Sequence, residues 1–371
     1  MDLYLGMLSG TSRDGVDSVL VSFEEDLPHL HSKMCMPYPA DLAAYLKKMI
    51  STGQRPDQQD LEEADKRLAS FFSHAARAVI EKAGIGTSSV AAIGSHGQTL
   101  WHDPAGPEPE TIQSGNPQQI ARDTGIVTVG DFRQADMKAG GQGAPLAPLL
   151  HRALFRPAQG TRIVLNLGGI ANISIVSGDG SVSGFDTGPA NCLLDAWIQK
   201  QRNEPFDRGG DWSASGVVDS LLLLDLMNDP YFRKPAPKST GVEHFNLSWL
   251  ESHAAVNSIA PQDVQATLAQ LTASTVAAAV AQDWPGDVLV CGGGVHNDDL
   301  LERLRILLPG CPLLSTGEHG LDPDCVEAVL FAWLARERIA GRLQDTGSIT
   351  GAGEPVLLGD IFQPDQAPYI V

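Results

Sequence analysis

Two stretches of this chain repeat one pattern, a strand, a glycine-containing turn and a second strand, and this repeat constrains the fold most. The first joins strands expected at residues 2–8 and 16–23 through the polar turn at residues 9–15. The second covers residues 162–175 and turns through the letters NLGGIAN. Strands on either side of such a turn predict a hairpin, and glycine lets backbone N–H groups approach an anion closely. We therefore expect two similar halves whose hairpin turns hold one nucleotide.

The composition is typical of a globular protein with an acidic surface. At 371 residues, with 43% hydrophobic and 19% charged residues, the chain is long enough for two domains. A formal net charge of −19 disfavours nucleic acid and anionic membranes as partners. No apolar run reaches the roughly 18 residues of a membrane span, and the first residues do not form a secretory signal. The five cysteines lack CxxC spacing, so we expect a cytoplasmic protein without disulfides or structural zinc.

Asp186 is the candidate catalytic residue, within the letters GFDTGPAN of residues 184–191. We expect it at the tip of a strand, with the Gly188-Pro189 turn beginning the next helix. The N–H groups of that helix would then lie beside the carboxylate, which suits a base acting next to a phosphate. The alternative is that Asp186 only caps the helix. The neighbouring glycine turns favour the catalytic interpretation.

The first glycine turn offers backbone donors and two carboxylates. Gly10, Gly15 and the hydroxyls of Thr11 and Ser12 can bring several donors to one anion. Asp14 and Asp17 are suited to hold waters on Mg²⁺ rather than to touch phosphate. The turn does not match the P-loop pattern. A polar hairpin turn without function remains the alternative.

Two further polar stretches are predicted as loops. After a short strand at residues 90–93, the side chains of His96, Gln98, Thr99 and His102 are expected just past the strand end, where α/β sheets bind ligands. They serve either substrate hydrogen bonding or loop packing, and a metal site there lacks a third ligand. Residues 113–148 have little periodicity. In that stretch Arg133 is a rare positive charge, for phosphate or carboxylate recognition or for a salt bridge to Asp131 or Asp136.

The remaining chain predicts long helices and one more glycine turn. Residues 57–82 and 260–283 have helical periodicity. The strand at residues 287–291 leads into GGG at residues 292–294 and a helix beginning at Asn297 or Asp298. This resembles a nucleotide-contact turn without the GxGxxG spacing. Glu327 lies in the first turn of a later helix, where an acid also simply favours the helix dipole.

A series of motifs runs in order along the chain: GTSRDGVD (10–17), GSHGQT (94–99), QSGNP (113–117), DFR (131–133), AGGQGAPLAP (139–148), NLGGIAN (166–172), GFDTGPAN (184–191), PKSTG (237–241) and CGGGVHN (291–297). Together they resemble the anhydro-N-acetylmuramic acid kinases of the sugar kinase, heat-shock and actin superfamily. The resemblance covers essentially the whole chain. Arg13 departs from it, since the family usually has an apolar residue there; this cation either tightens nucleotide binding or points to solvent.

The resemblance implies an α/β protein with a two-domain, actin-like (duplicated ribonuclease H-like) ATPase fold and an inter-domain cleft. We place one lobe at residues 1–130 plus 345–371 and the other at residues 131–344. The implied activity uses ATP and Mg²⁺ to open 1,6-anhydro-N-acetylmuramic acid, from peptidoglycan turnover, with water and to phosphorylate its O6. A homodimer is the expected assembly.

Carried over residue by residue, the resemblance makes Asp186 the catalytic base. The phosphates and Mg²⁺ would be held by Gly10, Thr11, Ser12, Arg13, Asp14, Gly15, Val16 and Asp17. A second phosphate contact would come from Gly168 and Gly169, the adenosine contact from Gly292, Gly293 and Gly294, and the sugar contacts from Thr99, Glu327 and Arg133. Two alternatives stay open: another sugar kinase of the superfamily, and a non-enzymatic actin-like ATP switch.

Overall fold

The computed structural model describes residues 2–10, 15–24, 27–50, 54–280 and 286–365. The chain divides into two compact units, Met1–Leu154 with Cys325–Val371, and Phe155–Asp324. Residues 131–154 and 325–344, which were expected in the second lobe, thus belong to the first unit. Among the helices of the described residues, none is long and apolar enough to cross a membrane.

The strands are β1 (Leu3–Ser9), β2 (Gly15–Glu24), β3 (Leu27–Pro37), β4 (Val90–Asp103), β5 (Glu110–Ser114), β6 (Thr128–Gly130), β7 (Thr161–Leu167), β8 (Ile170–Ser177), β9 (Val182–Pro189), β10 (Asp287–Cys291), β11 (Leu313–Ser315) and β12 (Asp360–Phe362). The α-helices are α1 (Ala40–Ile50), α2 (Gln58–Lys82), α3 (Pro117–Thr124), α4 (Phe132–Lys138), α5 (Ala147–Phe155), α6 (Asn191–Arg202), α7 (Asp211–Ser215), α8 (Ser220–Met227), α9 (Leu247–Glu251), α10 (Pro261–Val280), α11 (Asp298–Leu307), α12 (Val326–Ile339) and α13 (Gly347–Thr350).

Five strands of each sheet follow one order, and the first sheet adds β12 at its edge, antiparallel to β6. In the first unit the order is β12-β6-β4-β1-β2-β3, with β1, β2 and β3 antiparallel and β4 parallel to β1. In the second unit the order is β11-β10-β7-β8-β9, with β7, β8 and β9 antiparallel and β10 parallel to β7. Three antiparallel strands extended by parallel strands beside the first are the ribonuclease H-like arrangement. Its occurrence in both units confirms the predicted actin-like α/β class.

Each unit has its own hydrophobic core. In the first unit α1 and α2 bury Leu46, Leu68 and Phe72 together with sheet residues. In the second unit α10 and α11 cover the sheet, and α6, α8, α9 and α10 enclose a further cluster around Tyr231 and Phe245. The sheets are thus supported separately in the two units.

Helix α12 joins the first unit because it packs on two glycines of that sheet. A Cβ atom on Gly6 of β1 would come within 1.9 Å of the carbonyl oxygen of Ala328. A Cβ atom on Gly94 of β4 would come equally close, at 1.9 Å, to the carbonyl oxygen of Phe331. The helix backbone therefore approaches the strands at a distance that only glycine allows.

The predicted hairpins and long helices are confirmed, whereas two loop predictions were wrong. Residues 94–103 continue β4, because β5 pairs with them and extends the sheet. The stretch predicted as a loop at residues 113–148 contains α3, β6, α4 and the start of α5. Short helices of this length carry too few apolar repeats to be recognised by periodicity.

Candidate active site

Asp186 lies within β9, beside an irregularity in the pairing with β8. Asp186 pairs with Asn172 and Gly188 pairs with Ala171, so Thr187 is an extra residue on β9. An extra residue of this kind is a β-bulge, which turns neighbouring side chains and is common beside active sites. Asp186 is therefore the residue of β9 directly before the bulge.

The N–H groups at the start of α6 donate to the second glycine turn, Gly168-Gly169, and not to Asp186. The N–H groups of Ala190 and Cys192 donate to the carbonyl oxygen of Gly169 at 3.0 and 3.1 Å, and that of Asn191 donates to Gly168 at 3.1 Å. Because β9 continues to residue 189 and α6 begins at residue 191, Asp186 is neither a strand-tip residue next to the helix nor its cap. Both expectations were wrong.

The amides of the second glycine turn remain available to a ligand. Over the described ranges, neither the N–H of Gly168 nor that of Gly169 donates to a protein acceptor. Two adjacent N–H groups without an acceptor suit the oxygens of a phosphate. The carbonyl groups of this turn thus accept hydrogen bonds from the start of α6, and its two N–H groups can donate to a ligand.

The loop at residues 237–241 holds the carboxylate of Asp186. The N–H of Thr240 donates to Asp186 Oδ2 at 2.9 Å. The N–H of Asp186 donates to the carbonyl oxygen of Lys238 at 3.0 Å, and the hydroxyl of Tyr231 donates to the carbonyl oxygen of Asp186 at 2.7 Å. This loop supplies the amide donor that was expected from the next helix. The PKSTG motif was its only signal in the sequence.

The half-buried setting makes Asp186 a stronger base than an ordinary aspartate. Burial raises its pKa to about 6, the N–H of Thr240 opposes this rise, and the charge of Glu243 adds to it. A carboxylate with this pKa is mostly ionised at neutral pH and accepts a proton more readily than one with a pKa near 4. The site therefore favours general-base chemistry.

A cavity of about 460 Å³ opens in the second unit beside the turn after β10. It is lined by Asn191, Leu194, Asp195, Phe206, Asp207, Arg208, Gly209, Gly293, His296 and Asn297. Of the three glycines predicted for adenosine, only Gly293 lines it. A Cβ atom on Gly292 would come within 2.3 Å of Asn166 Oδ1, and one on Gly294 within 2.5 Å of Leu167 Cβ. Gly292 and Gly294 thus let the turn pack on β7.

The first glycine turn is described only at its two ends; Thr11, Ser12, Arg13 and Asp14 lie outside the described residues. At the first end, the hydroxyl of Ser9 donates to Gln98 Oε1 at 2.7 Å, and Gln98 Nε2 lies 3.5 Å from the carbonyl oxygen of Gly10. Gln98 is 2% exposed. This buried side chain fixes the point where the turn leaves β1.

At the other end of this turn, the described residues Gly15, Val16 and Asp17 differ in exposure. Gly15 approaches β3 so closely that a Cβ atom would lie 2.3 Å from the carbonyl oxygen of Met36. Val16 is fully buried in the core and offers no surface to a nucleotide. Asp17 is exposed on β2.

Arg133 of α4 is held by a buried histidine. Its Nε donates to His96 Nε2 at 2.8 Å, and His96 Nδ1 lies 3.1 Å from the carbonyl oxygen of Gly97. Because arginine stays protonated, Nε2 must accept and Nδ1 must donate, which defines the neutral tautomer. Burial lowers the pKa of His96 well below its usual value, and the charge of Arg133 lowers it further. His96 is therefore a support for Arg133 rather than a metal ligand.

The terminal nitrogens of Arg133 bind no other described residue. Burial lowers the pKa of Arg133 to about 10, while Glu327 opposes this. The expected alternative, a salt bridge to Asp131 or Asp136, does not form between these described residues. Asp136 instead accepts from the N–H of Gly143 at 2.7 Å and from a threonine hydroxyl of α13. The guanidinium fork is thus positioned for an anionic ligand.

Thr99 and His102 lie in β4 and take part in a polar cluster with β5. The Thr99 hydroxyl accepts from Gln113 Nε2 at 3.3 Å, and His102 Nδ1 lies 2.9 Å from Thr111 Oγ1. Burial lowers the pKa of His102 to about 4. Within the described ranges, no three or more histidine, cysteine, aspartate or glutamate side chains form a group that could hold a metal ion.

Glu327 lies in the first turn of α12, near two other predicted site residues. Loss of solvent raises its pKa, the charge of Asp17 raises it further, and Arg133 lowers it. Although Glu327 is exposed, it lies close enough to Asp17 and Arg133 for their charges to act on its pKa in opposite directions. Position in the first turn also satisfies the helix-dipole interpretation. The first unit thus brings together Asp17, Arg133 and Glu327.

The ribonuclease H-like strand order of both sheets is that of the actin-like ATP-binding class of proteins. The family model described as anhydro-N-acetylmuramic acid kinase matches residues 2–364. The chain belongs to the anhydro-N-acetylmuramic acid kinase family.

Two relatives with that kinase name match almost the whole chain. The protein of Vibrio cholerae serotype O1 is 46% identical over 367 residues, which cover 98% of this chain and 99% of the relative. A protein of Xanthomonas campestris pv. campestris is 46% identical over 366 residues, covering 97% of each.

Proposed function

We propose that this chain is an ATP-dependent kinase that opens 1,6-anhydro-N-acetylmuramic acid with water and phosphorylates its O6. The products are N-acetylmuramic acid 6-phosphate and ADP, and the setting is cytoplasmic peptidoglycan recycling. Family membership over nearly the full length supports the reaction. The half-buried Asp186, with its pKa near 6, is the observation that carries the mechanism.

The chemistry follows from the bridged sugar, in which O6 is already bonded to C1. Water forms a bond to C1 while the C1–O6 bond breaks, and O6 takes the γ-phosphoryl group as ADP leaves. The proton of the attacking water passes to Asp186. A positioned general base contributes roughly 10²–10⁴-fold to such a rate. The Thr240 N–H and the Tyr231 hydroxyl hold the base in place.

Arg133 would recognise the carboxylate of the muramic acid. The substrate carries this carboxylate on its lactyl ether, and a guanidinium binds carboxylates through two parallel N–H groups. His96 occupies only Nε of Arg133, which leaves the two terminal nitrogens for the ligand. Thr99 and Glu327 would contact the hydroxyl groups of the sugar.

The phosphates of ATP would be held by the turn at residues 10–17 and by the N–H groups of Gly168 and Gly169. The adenosine would occupy the cavity beside Gly293. Asp17 fits Mg²⁺, because it is an exposed carboxylate and Mg²⁺ prefers oxygen ligands. Asp14 is the second proposed Mg²⁺ residue. Bound Mg²⁺ would neutralise charge on the transferred phosphoryl group.

The reaction is tested with a panel of anhydro and ordinary amino sugars. We expect ADP release and a phosphorylated product only with the anhydro sugar, with the product mass equal to substrate plus water plus phosphoryl. Turnover of an ordinary hexose with a free hydroxyl would favour another sugar kinase of the superfamily. ATP-dependent polymerisation without any sugar product, seen by light scattering, would favour an actin-like switch.

Water labelled with heavy oxygen tests the order of bond changes. We expect the label on the C1 hydroxyl of the product. Label in free phosphate, without labelled sugar, would show that the chain only hydrolyses ATP. We also propose a homodimer, which sedimentation velocity tests; a monomer at all concentrations would refute it.

A further inference from the structure

The cavity of the second unit is lined by a carboxylate that pairs with no residue in the described part of the chain. Asp195 lies on α6, four residues after Asn191, and both line the cavity. It is half-buried, and no hydrogen bond or ion pair joins it to another described residue. Burial raises the pKa of Asp195 to about 7, and the charge of Asp207 contributes. Both oxygens of this carboxylate can therefore accept hydrogen bonds from a ligand in the cavity.

The second acid of the cavity already has partners. Asp207 accepts from the N–H groups of Trp212 and Ser213, each at 2.9 Å, and Gln265 Nε2 lies 3.4 Å away. These bonds fix the start of α7, so Asp207 serves the fold. Asp195 is the carboxylate that remains for a ligand.

The same cavity offers an aromatic surface and the size of a small-molecule site. Phe206 is 47% exposed, and the guanidinium of Arg208 lies over its ring at 5.4 Å. Exposed aromatic rings stack on the flat faces of bases. The volume of about 460 Å³ is too large for a lone metal ion and falls within the range of about 300–1,000 Å³ for ligand pockets. Gly293 places the cavity after the carboxyl end of β10, where such sheets bind nucleotides.

We propose that Asp195 determines nucleotide selectivity by accepting a hydrogen bond from the nucleoside, while Phe206 stacks on the base. The donor is the amino group of the base or a hydroxyl of the ribose. This inference rests on the proposed function for the class of its ligand, an adenine nucleotide, which would occupy this cavity.

The test combines removal of the donor with removal of the acceptor. We would measure kcat/KM for ATP, 2′-deoxy-ATP, 3′-deoxy-ATP and purine riboside triphosphate, with the unmodified chain and with Asp195→Ala. The unmodified chain should prefer ATP over one analogue by about 10- to 100-fold, because that analogue leaves the carboxylate unpaired. In Asp195→Ala the same preference should fall to within about threefold. The analogue affected identifies the donor. A preference that Asp195→Ala leaves unchanged for every analogue overturns the proposal.

Controls separate this inference from the proposed function. Glu302 lies on α11 outside the cavity, and its side chain is 63% exposed. Glu302→Ala should therefore leave the preference for ATP over each analogue unchanged. Calorimetric binding of ADP and 2′-deoxy-, 3′-deoxy- and purine riboside diphosphates provides a readout independent of turnover. If no sugar is phosphorylated but ADP binding still depends on Asp195, the proposed function fails and the selectivity role stands.

Phe206→Ala tests the stacking role. It should weaken all four nucleotides by about tenfold without changing their ratios, because every base has an aromatic face. Unchanged affinity for all of them would contradict the stacking role.

Discussion

Replacing Asp186 by asparagine should abolish most activity and at the same time stabilise the protein. The side chain keeps its shape and an oxygen that accepts from the N–H of Thr240. It can no longer take the proton of water, so we expect kcat to fall roughly 10²–10⁴-fold while the KM for ATP is unchanged.

The gain in stability follows from the raised pKa. The pKa of Asp186 rises from 3.8 to about 6 in the folded protein, so the ionised form is disfavoured by folding. At about 1.4 kcal/mol per pH unit, this costs at most about 3 kcal/mol of unfolding free energy. The cost is complete above about pH 6 and disappears below about pH 4, because the unfolded chain binds fewer protons between those values. Asparagine carries no charge, so the variant does not have this cost in unfolding free energy.

Urea unfolding at about pH 8 and about pH 4 measures this difference, alongside steady-state kinetics. The variant should be more stable at the higher pH and equal to the unmodified chain at the lower. Glu302→Gln, which changes an exposed acid of the same unit, should alter neither property. A variant with near-normal kcat, or one less stable at both pH values, would refute the reasoning.

Three further changes test other contacts. Arg133→Lys keeps the charge but loses the Nε donor and the planar fork, so the KM for the anhydro sugar should rise about tenfold or more, with the KM for ATP as internal control; an unchanged sugar KM would exclude the proposed contact. Tyr231→Phe removes the 2.7 Å bond to the backbone of the base, which should cost about 1 kcal/mol in urea unfolding and lower kcat more than it changes KM; unaltered kcat would remove the positioning role. Gly6→Ala should destabilise the first unit by several kcal/mol, about 3 or more, because helix α12 must move, whereas Gly86→Ala, with its nearest atom at 3.7 Å, should be tolerated in thermal unfolding. Equal melting temperatures for the two variants would contradict the tight packing.

The sequence predicted the elements whose patterns are long and local. Helices α2 and α10 have sustained periodicity, and the glycine hairpins combine strand residues with turn residues. The duplicated arrangement followed from the similarity of the two hairpins. In contrast, β3 and β5 are defined by the strands that they pair with, so nothing in residues 27–37 or 110–114 alone distinguishes them.

The sequence indicates candidate site residues, whereas their contacts depend on the fold. Asp186 stays a predicted base, and the N–H group that donates to its carboxylate belongs to Thr240, which is far along the chain. Contacts between distant residues depend on tertiary packing, which a sequence pattern does not contain. The support of Arg133 by His96 is of the same kind. Asp195 had no local signal at all, because only the cavity distinguishes it from other helix-surface acids.

The pH dependence of kcat/KM for the anhydro sugar, at saturating ATP and with direct quantification of the phosphorylated sugar, tests the role of Asp186 most directly. Since the base must be ionised, its pKa of about 6 predicts that the rate falls about tenfold between about pH 7 and about pH 5. The residual activity of Asp186→Asn should lack this acid limb. A profile of the unmodified chain that stays flat down to about pH 4.5, or an acid limb that persists in the variant, would contradict the account.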